Sequence, residues 1–391
     1  MHHDLAGTRH ANVFVIYILG FLFTLHAALP AYINSTFLSK FTSEAYVGIL
    51  YTFSALLTIF IFGKIPNILK KFGNYRSMFT LLIVDFIAFL GMALTGNIII
   101  ISACFILSFI SIAVIGFNID VFLESFSKNS TTGKIRGTFL STSNIAWIIA
   151  PLICSFILTD GDYWKIFVAA GLLLLPIALL IHNNLKNFKD TEYKIIPAKS
   201  IIREIVGDKN IRSIFFVNFL LQFFYSWMII YTPLYLYTYI GWSWREIGIM
   251  FSIMLVPFVL TEAPLGKLAD TRWGEKEVMS VGFIVIALST SMIAFIQVKS
   301  MLLWTFLLFT TRIGASMVEI MSETYFFKKT APNKANVIGF FRTMRPWAYL
   351  ISPILATGLF SLGFSIKYIF IILAVVMFFG LHFSLNLKDT R

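Results

Sequence analysis

The segment IIIISACFILSFISIAVIGFNIDV occupies residues 98–121 and contains one charged side chain, Asp120, close to its end. A helix that crosses the hydrocarbon core of a bilayer needs about 20 mainly apolar residues. The segment meets both the length and the composition of such a helix, so it predicts a transmembrane span.

Eleven other segments share this length and apolar character, and together they predict twelve transmembrane helices. The twelve ranges are 11–31, 46–65, 77–95, 98–121, 137–158, 164–182, 213–237, 246–265, 277–297, 301–322, 336–359 and 365–385.

The overall composition excludes a soluble globular protein. Apolar residues make up 58% of the chain and charged residues 13%, whereas soluble domains carry about 45–50% apolar and about 25% charged residues. A bilayer accommodates this much apolar surface because lipid replaces water around it. The fold class predicted is therefore an all-α membrane protein.

The basic residues alternate in number from loop to loop. If the N-terminus is cytoplasmic, 23 Lys and Arg residues fall in cytoplasmic segments, five in outer loops and three inside spans. Cytoplasmic loops of membrane proteins carry such an excess of positive charge. We therefore expect both termini on the cytoplasmic side, most simply of a bacterial cytoplasmic membrane, and we assign the net charge of +12 to anionic lipid headgroups rather than to nucleic acid.

The chain divides into two related halves. Its longest hydrophilic stretch, 183–212, separates six predicted spans in residues 1–182 from six in residues 213–391. GKI at 63–65 and GKL at 266–268 end the second span of each half. This order predicts two six-helix bundles related by a pseudo-two-fold repeat, an arrangement typical of carriers.

The stretch GKLADTRWGEK at 266–276 lies between the eighth and ninth spans. It resembles motif A of the major facilitator superfamily, and the first-half copy of the motif is degraded. In this stretch Gly266 permits close helix contact, and Gly274 permits a turn with positive φ. Asp270, beside Arg272, can accept hydrogen bonds from the facing half and latch the cytoplasmic side shut. The alternative is an ordinary tight turn with solvated charges.

Charged side chains inside membrane spans are energetically costly and mark candidate sites. Arg312 lies near the middle of the tenth span, on one helical stripe with Ser316, Glu319 and Glu323. The resemblance implies that this span faces a central cavity. Arg312 is then either a substrate or coupling residue, or the buried partner of an acid on a neighbouring helix.

A second group of charges is predicted near the cytoplasmic ends of the spans. Acids and arginines at matching depth suggest gate ion pairs that break on opening. The residues are Asp120, Glu124, Glu262, Glu319, Glu323, Arg136, Arg342 and Arg345.

Glu319 and three further mid-span residues are also candidates for substrate binding or coupling. His26 can bind substrate or carry protons, although a hydrogen-bonded core histidine is the alternative. Asn144 and Trp227 can shape a cavity, and for Trp227 the alternative is plain packing. For Asp85, in the third span, the sequence favours a packing role.

We therefore predict a secondary active transporter that moves a small solute by alternating access, with protons as the candidate coupling ion. Its partners would be membrane lipids and the solute, and we expect a monomer without cofactor or metal. No Walker A motif and no catalytic cluster is present in the sequence. The alternatives are a transporter-like receptor, a lipid flippase and a membrane-embedded transferase.

The predicted topology can be tested by cysteine labelling in intact cells. In a variant without Cys104 and Cys154, the substitution Ile195→Cys should resist a membrane-impermeant maleimide until the cells are permeabilised, because residue 195 lies in the cytoplasmic loop. The control Lys299→Cys, in an outer loop, should react without permeabilisation. Ready labelling at position 195 in intact cells would contradict the topology.

Overall fold

The structure is a computed structural model, and it describes most of the chain. The described ranges are 2–126, 132–158, 161–190, 198–261, 264–265, 273–329 and 340–388.

All secondary structure in the described ranges is helical. The elements are α1 (His2–Ala31), α2 (Asn34–Ser39), α3 (Glu44–Phe72), α4 (Asn74–Leu94), α5 (Ile98–Phe126), α6 (Thr132–Ile157), α7 (Tyr163–Leu185), α8 (Ala198–Gly207), α9 (Lys209–Leu234), a π-helical turn (Tyr235–Ile240), α10 (Trp244–Leu255), α11 (Pro257–Leu260), α12 (Glu275–Ile293), α13 (Met301–Lys329), α14 (Met344–Ser361) and α15 (Lys367–Leu385).

Within the described residues, nine helical segments are long and apolar enough to cross a membrane. The chain is therefore an integral membrane protein, while the count of twelve spans stays a prediction. The predicted span 246–265 is not one continuous helix, because α10 ends at Leu255 and α11 begins at Pro257. Proline lacks the backbone N–H that would continue the helix, and its ring clashes with the preceding turn.

Local hydrogen bonds define where two helices of the second half begin. The Asp208 carboxylate accepts from the backbone N–H groups of Asn210 and Ile211 and caps α9. At the start of α10, Ser243 and Glu246 form a capping box, each side chain accepting from the other residue's backbone N–H. These contacts satisfy donors that the first turn of a helix leaves unpaired.

The chain forms two compact units. Unit 1 comprises Met1–Phe41 and Phe53–Ile195, and unit 2 comprises Thr42–Thr52 and Ile196–Arg391. The first residues of α3 therefore belong to unit 2. There the Tyr239 hydroxyl donates to Glu44 over 2.6 Å, and the Thr357 hydroxyl donates to the carbonyl of Ala45.

In unit 1, α4 packs against α5 and α7, and α1 packs against α5, α6 and α7. Their contact surface contains a large aliphatic and aromatic cluster. Its fully buried members include Ile16, Leu19, Met78, Ile115, Phe122, Ile177 and Ile181.

In unit 2, α12 packs against α13 and α15, and α9 packs against α13, α14 and α15. Two glycines set the distance between α12 and α13. A Cβ on Gly314 would lie 2.7 Å from the carbonyl oxygen of Gly282, and a Cβ on Gly282 would lie 2.9 Å from that of Gly314. Small residues allow this close backbone approach in membrane helices.

The glycine contact predicts which substitutions destabilise unit 2. Gly314→Ala and Gly282→Ala should each lower the free energy of unfolding by about 1–3 kcal/mol, because a backbone carbonyl cannot rotate away from the added methyl group. The change is measurable as a lower melting temperature of the purified protein. Gly358→Ala is the matched control, since a Cβ there meets no atom within 4 Å. Equal melting temperatures for all three variants would contradict the tight contact.

Candidate functional site

The histidine–aspartate pair of unit 1 consists of His26 on α1 and Asp85 on α4. The His26 Nδ1 lies 2.8 Å from the carbonyl oxygen of Ala170 on α7, and its Nε2 lies 2.9 Å from Asp85 Oδ2. Both side chains are completely buried. Phe89 and Phe23 flank the imidazole, with ring centroids 4.6 and 6.0 Å away. Three helices are thus joined by polar contacts around one imidazole.

The pairing assigns Asp85 a role that the sequence did not predict. Its position in the third span favoured packing, yet its carboxyl group holds the imidazole of His26. A usable signal exists in the sequence, since His26 and Asp85 are both ionisable residues in the middle of apolar spans of the same half. Buried ionisable groups need partners, so two of them within one bundle are candidates for each other.

The Arg312 cluster of unit 2 consists of Phe224, Tyr225, Arg312 and Glu319. Arg312 on α13 is 1% exposed, and its Nε and Nη1 atoms have no hydrogen-bond partner. The guanidinium carbon lies 5.1 Å from the ring centroid of Phe224 and 5.8 Å from that of Tyr225, both on α9. Aromatic faces attract a cation but accept no strong hydrogen bond. Arg312 therefore keeps unused donors in the interior of unit 2.

The acid nearest to Arg312 along the predicted stripe is bound elsewhere. The Tyr225 hydroxyl donates to Glu319 Oε2 over 2.6 Å. Ser316, between the two on the stripe, shares a 2.8 Å hydrogen bond with Thr261. Arg312 and Glu319 thus contact the same tyrosine, Arg312 at the ring and Glu319 at the hydroxyl. The described ion pairs of unit 2 do not include Arg312.

The two remaining mid-span candidates lie in different units. Trp227 is buried on α9 between the rings of Phe223 and Tyr231, and its indole Nε1 has no hydrogen-bond partner. Asn144 is half-buried on α6 in unit 1.

The predicted charges near the cytoplasmic ends have varied environments. Arg342 donates to both carboxylate oxygens of Glu323, at 2.6 and 3.3 Å, and this pair lies within unit 2. Arg345 lies over the ring of Tyr349, 5.8 Å from its centroid. Asp120 is half-buried near the end of α5. The side chains of Glu124 and Arg136 lie outside the described part of the structure.

Most of the motif loop also lies outside the described residues, including Gly266, Asp270 and Arg272, and so does the gate candidate Glu262. Gly274 is described, and the prediction of a positive φ there is wrong. Its φ is −87°, in extended backbone, because it caps α12 rather than forming a left-handed turn. Its N–H donates to Glu277 Oε2 over 3.1 Å.

No group of three or more His, Cys, Asp or Glu side chains is placed to hold a metal ion in the described ranges. Among the sequence-predicted mid-span candidates, two polar groupings stand out: the histidine–aspartate pair and the Arg312 cluster. The first has the chemistry to hold a proton, and the second has the chemistry to bind an anion.

Comparison with known proteins identifies the kind of fold. Residues 214–390 match the family model described as Major Facilitator Superfamily, and no curated protein matches the sequence. Similar solved structures include a bacterial homolog of the human lysosomal transporter Spinster, the nucleoside transporter NupG and the POT family transporter PepTSo. Their TM-scores are 0.71, 0.75 and 0.74, and each alignment covers 96% of this chain and 93%, 100% and 97% of theirs.

Each of these structures is 13% identical in sequence to this chain, so the likeness shows a shared fold. The family match and the shared fold confirm the resemblance that motif A indicated. They point to a transporter and not to an enzyme.

The ion pair between Glu323 and Arg342 can be measured by a double-mutant cycle. Because the two side chains are 27% and 42% exposed, Glu323→Gln and Arg342→Gln should couple by only about 0.2–1 kcal/mol in the free energy of unfolding. Arg345→Gln is the matched control and should show no coupling with Glu323→Gln. A coupling above about 2 kcal/mol would mean that the pair is more strongly desolvated than its exposure indicates.

Proposed function

We propose that this chain belongs to the major facilitator superfamily and is a secondary active transporter, because residues 214–390 match that family's model and the fold is shared with solved transporters. It moves a small solute across the membrane by alternating access, and protons are the coupling ion. The observation that carries the proposal is Arg312, a buried cation inside a membrane-spanning helix whose Nε and Nη1 donors are unused.

The packing of helices supports the proposed architecture of twelve spans in two six-helix bundles, residues 1–182 and 213–391, joined by the linker 183–212. If α1, α4, α5, α6 and α7 correspond to α9, α12, α13, α14 and α15, the same helix pairs pack in both units. The five pairs of unit 1 are α1·α5, α1·α6, α1·α7, α4·α5 and α4·α7, and each has its counterpart in unit 2. A duplicated bundle produces this correspondence.

The electrostatics of Arg312 indicate the class of solute. A guanidinium cannot be deprotonated in a protein, and a buried charge without a partner is strongly destabilising. Phe224 and Tyr225 compensate part of this charge through their ring faces. The unused N–H donors favour a solute with an anionic group, such as a carboxylate, that completes the compensation when it binds.

Two further side chains of unit 2, Trp227 and Glu319, can bind other polar groups of such a solute. The Trp227 indole N–H is also a buried donor without a partner on α9. Glu319, held by Tyr225, supplies a negative charge on the same helix as Arg312. A solute with an anionic group and a further acceptor would match the Arg312 and Trp227 donors, and a donor or cationic group on the same solute would match Glu319.

The cytoplasmic orientation of both termini, and a bacterial cytoplasmic membrane as the location, belong to the same proposal and rest on the distribution of Lys and Arg. One of the solved structures is named a nucleoside transporter. Its TM-score of 0.75 shows a comparable fold, and its 13% identity gives no reason to assign nucleosides to this chain.

Binding and flux measurements on the purified and reconstituted protein can distinguish a transporter from a receptor or a lipid flippase. A metabolite library is first screened for compounds that raise the melting temperature, because a ligand that binds only the folded state stabilises it. A compound found in this way is then followed in proteoliposomes. Accumulation of the solute supports a transporter, binding without flux would support a receptor, and movement of labelled lipid between leaflets would support a flippase.

Arg312 should be needed for binding of the anionic group. Arg312→Gln should weaken the ligand-induced stabilisation and reduce uptake about tenfold to a hundredfold, since a charged hydrogen bond contributes about 1.5–3 kcal/mol. Arg312→Lys should restore little, because an ammonium lacks the planar geometry of the guanidinium. The melting temperature without ligand should not fall below that of the unmodified protein, because the substitution removes a buried charge that is only partly compensated.

Arg245→Gln, at an exposed arginine in the first turn of α10, is the matched control and should transport normally. A structural role for Arg312 predicts a different pattern, in which Arg312→Gln lowers the melting temperature and Glu319→Gln alongside restores it. Full transport by a folded Arg312→Gln protein would refute the proposed role.

A further inference from the structure

The hydrogen bonds of His26 determine how many protons the histidine–aspartate pair holds. The carbonyl oxygen of Ala170 can only accept, so the Nδ1 atom that lies 2.8 Å from it must carry a hydrogen. On the other side of the ring, Nε2 lies 2.9 Å from Asp85 Oδ2. A hydrogen bond of this length needs a proton between the two atoms, either on Nε2 or on Oδ2.

While His26 Nε2 and Asp85 Oδ2 are at hydrogen-bonding distance, the pair therefore holds one shared proton in addition to the proton on Nδ1. With that proton on Nε2 the pair is an imidazolium and a carboxylate, and with it on Oδ2 the pair is a neutral imidazole and a carboxylic acid. The net charge of the pair is zero in both cases, which suits side chains that are completely buried in a membrane-spanning bundle.

We propose that His26 and Asp85 form a single-proton binding site, and that the proton held between them is the coupling ion of transport. The second part of this inference rests on the proposed function, whereas the first part is a property of the pair alone.

Loss of the shared proton must open the contact. It would leave lone pairs of Nε2 and Oδ2 facing each other at 2.9 Å without water, together with a net negative charge. A second added proton would leave a net positive charge in the same place. The contact between α1 and α4 is thus stable in one protonation state, so proton binding and the packing of these two helices are linked.

The second oxygen of Asp85 distinguishes this pair from a purely structural ion pair. Oδ1 is buried and has no hydrogen-bond partner. A buried carboxylate that serves only stability has its oxygens satisfied by further donors, since each unsatisfied atom is destabilising. An incompletely satisfied carboxyl group favours a pair that changes its protonation and its partners during the working cycle.

No other titratable side chain among the described residues contacts the imidazole. Towards His26, α4 presents Asp85 and Phe89, and α7 presents the Ala170 carbonyl. On α6, Cys154 donates its Sγ–H to the carbonyl of Leu29, one turn from His26. The other charged and histidine residues of α1, α4, α5, α6 and α7 lie in the terminal thirds of these helices. They are His2, His3, Asp4, Arg9, His10, Arg76, Asp120, Glu124, Lys134, Arg136, Lys165 and His182.

The proton site can be tested without any substrate. Infrared spectra of the purified protein in lipid nanodiscs are recorded between about pH 5 and pH 10, the range that brackets histidine and perturbed carboxyl groups. The unmodified protein should show a carboxyl band that changes with pH and that is absent in both Asp85→Asn and His26→Gln. His182→Gln is the matched control, since His182 is an exposed histidine of unit 1 bound to Tyr75, and it should keep the band.

Two results of this measurement would overturn the proton site. One is a spectrum in which no band assigned to Asp85 changes over the whole range, because the pair would then hold its proton permanently. The other is an unchanged titrating band in Asp85→Asn, which would place the signal on a different residue. Asp85→Asn is nearly isosteric, and His26→Gln provides a second, independent variant if one of the two fails to fold.

Coupling is tested in proteoliposomes with the solute found by the stability screen. In Asp85→Asn, the rate of uptake driven by a pH gradient should fall about tenfold or more. This factor lies within the usual range of coupling between two binding sites. Exchange of internal for external solute without a gradient should continue in this variant, because exchange needs no net movement of protons. His182→Gln should retain both activities.

The outcomes separate the inference from the proposed function. Gradient-driven uptake at the normal rate in Asp85→Asn, or loss of exchange together with uptake in a folded variant, would overturn the coupling role. If the unmodified protein transports nothing, the proposed function fails, and the infrared titration still decides whether the pair binds a proton.

Discussion

The exclusion of water from the membrane interior is the constraint on which the rest of this structure depends. Backbone N–H and C=O groups in hydrocarbon have no solvent to bond with, so each must be satisfied within the protein. The helical segments of this chain meet that requirement along their own axes. A side-chain cap at Asp208 and a proline at Pro257 mark two of the breaks between them. The same exclusion makes every buried charge a strong determinant of packing.

The two polar clusters respond to this constraint in different ways. The histidine–aspartate pair is neutral as a whole, because one shared proton joins His26 to Asp85. The Arg312 cluster keeps its full positive charge and compensates it only partly, through the rings of Phe224 and Tyr225. One cluster therefore has its charge balanced by a proton, and the other has a charge that a bound anion can balance. A transporter that couples a solute to protons needs one site for the proton and one for the solute, and under the proposed function these two clusters supply them.

The packing around these clusters is built from close helix contacts. Gly282 and Gly314 bring the backbones of α12 and α13 together, which positions the helix that carries Arg312 and Glu319. In unit 1, the aliphatic surface shared by α1, α4, α5 and α7 holds His26 and Asp85 at hydrogen-bonding distance. The distances within both polar clusters therefore depend on the apolar packing around them.

The sequence by itself determined the all-helical membrane class, because uninterrupted apolar runs such as 98–121 have no other stable arrangement in a bilayer. It also identified Arg312 and His26 as unusual, since a charge or histidine in such a run is rare. Only the tertiary structure decided their partners: His26 meets an aspartate 59 residues away, and Arg312 meets rings rather than Glu319 on its own stripe. A linear pattern shows which residues share a helix face, but the neighbouring helix that covers this face depends on how all the helices pack at once.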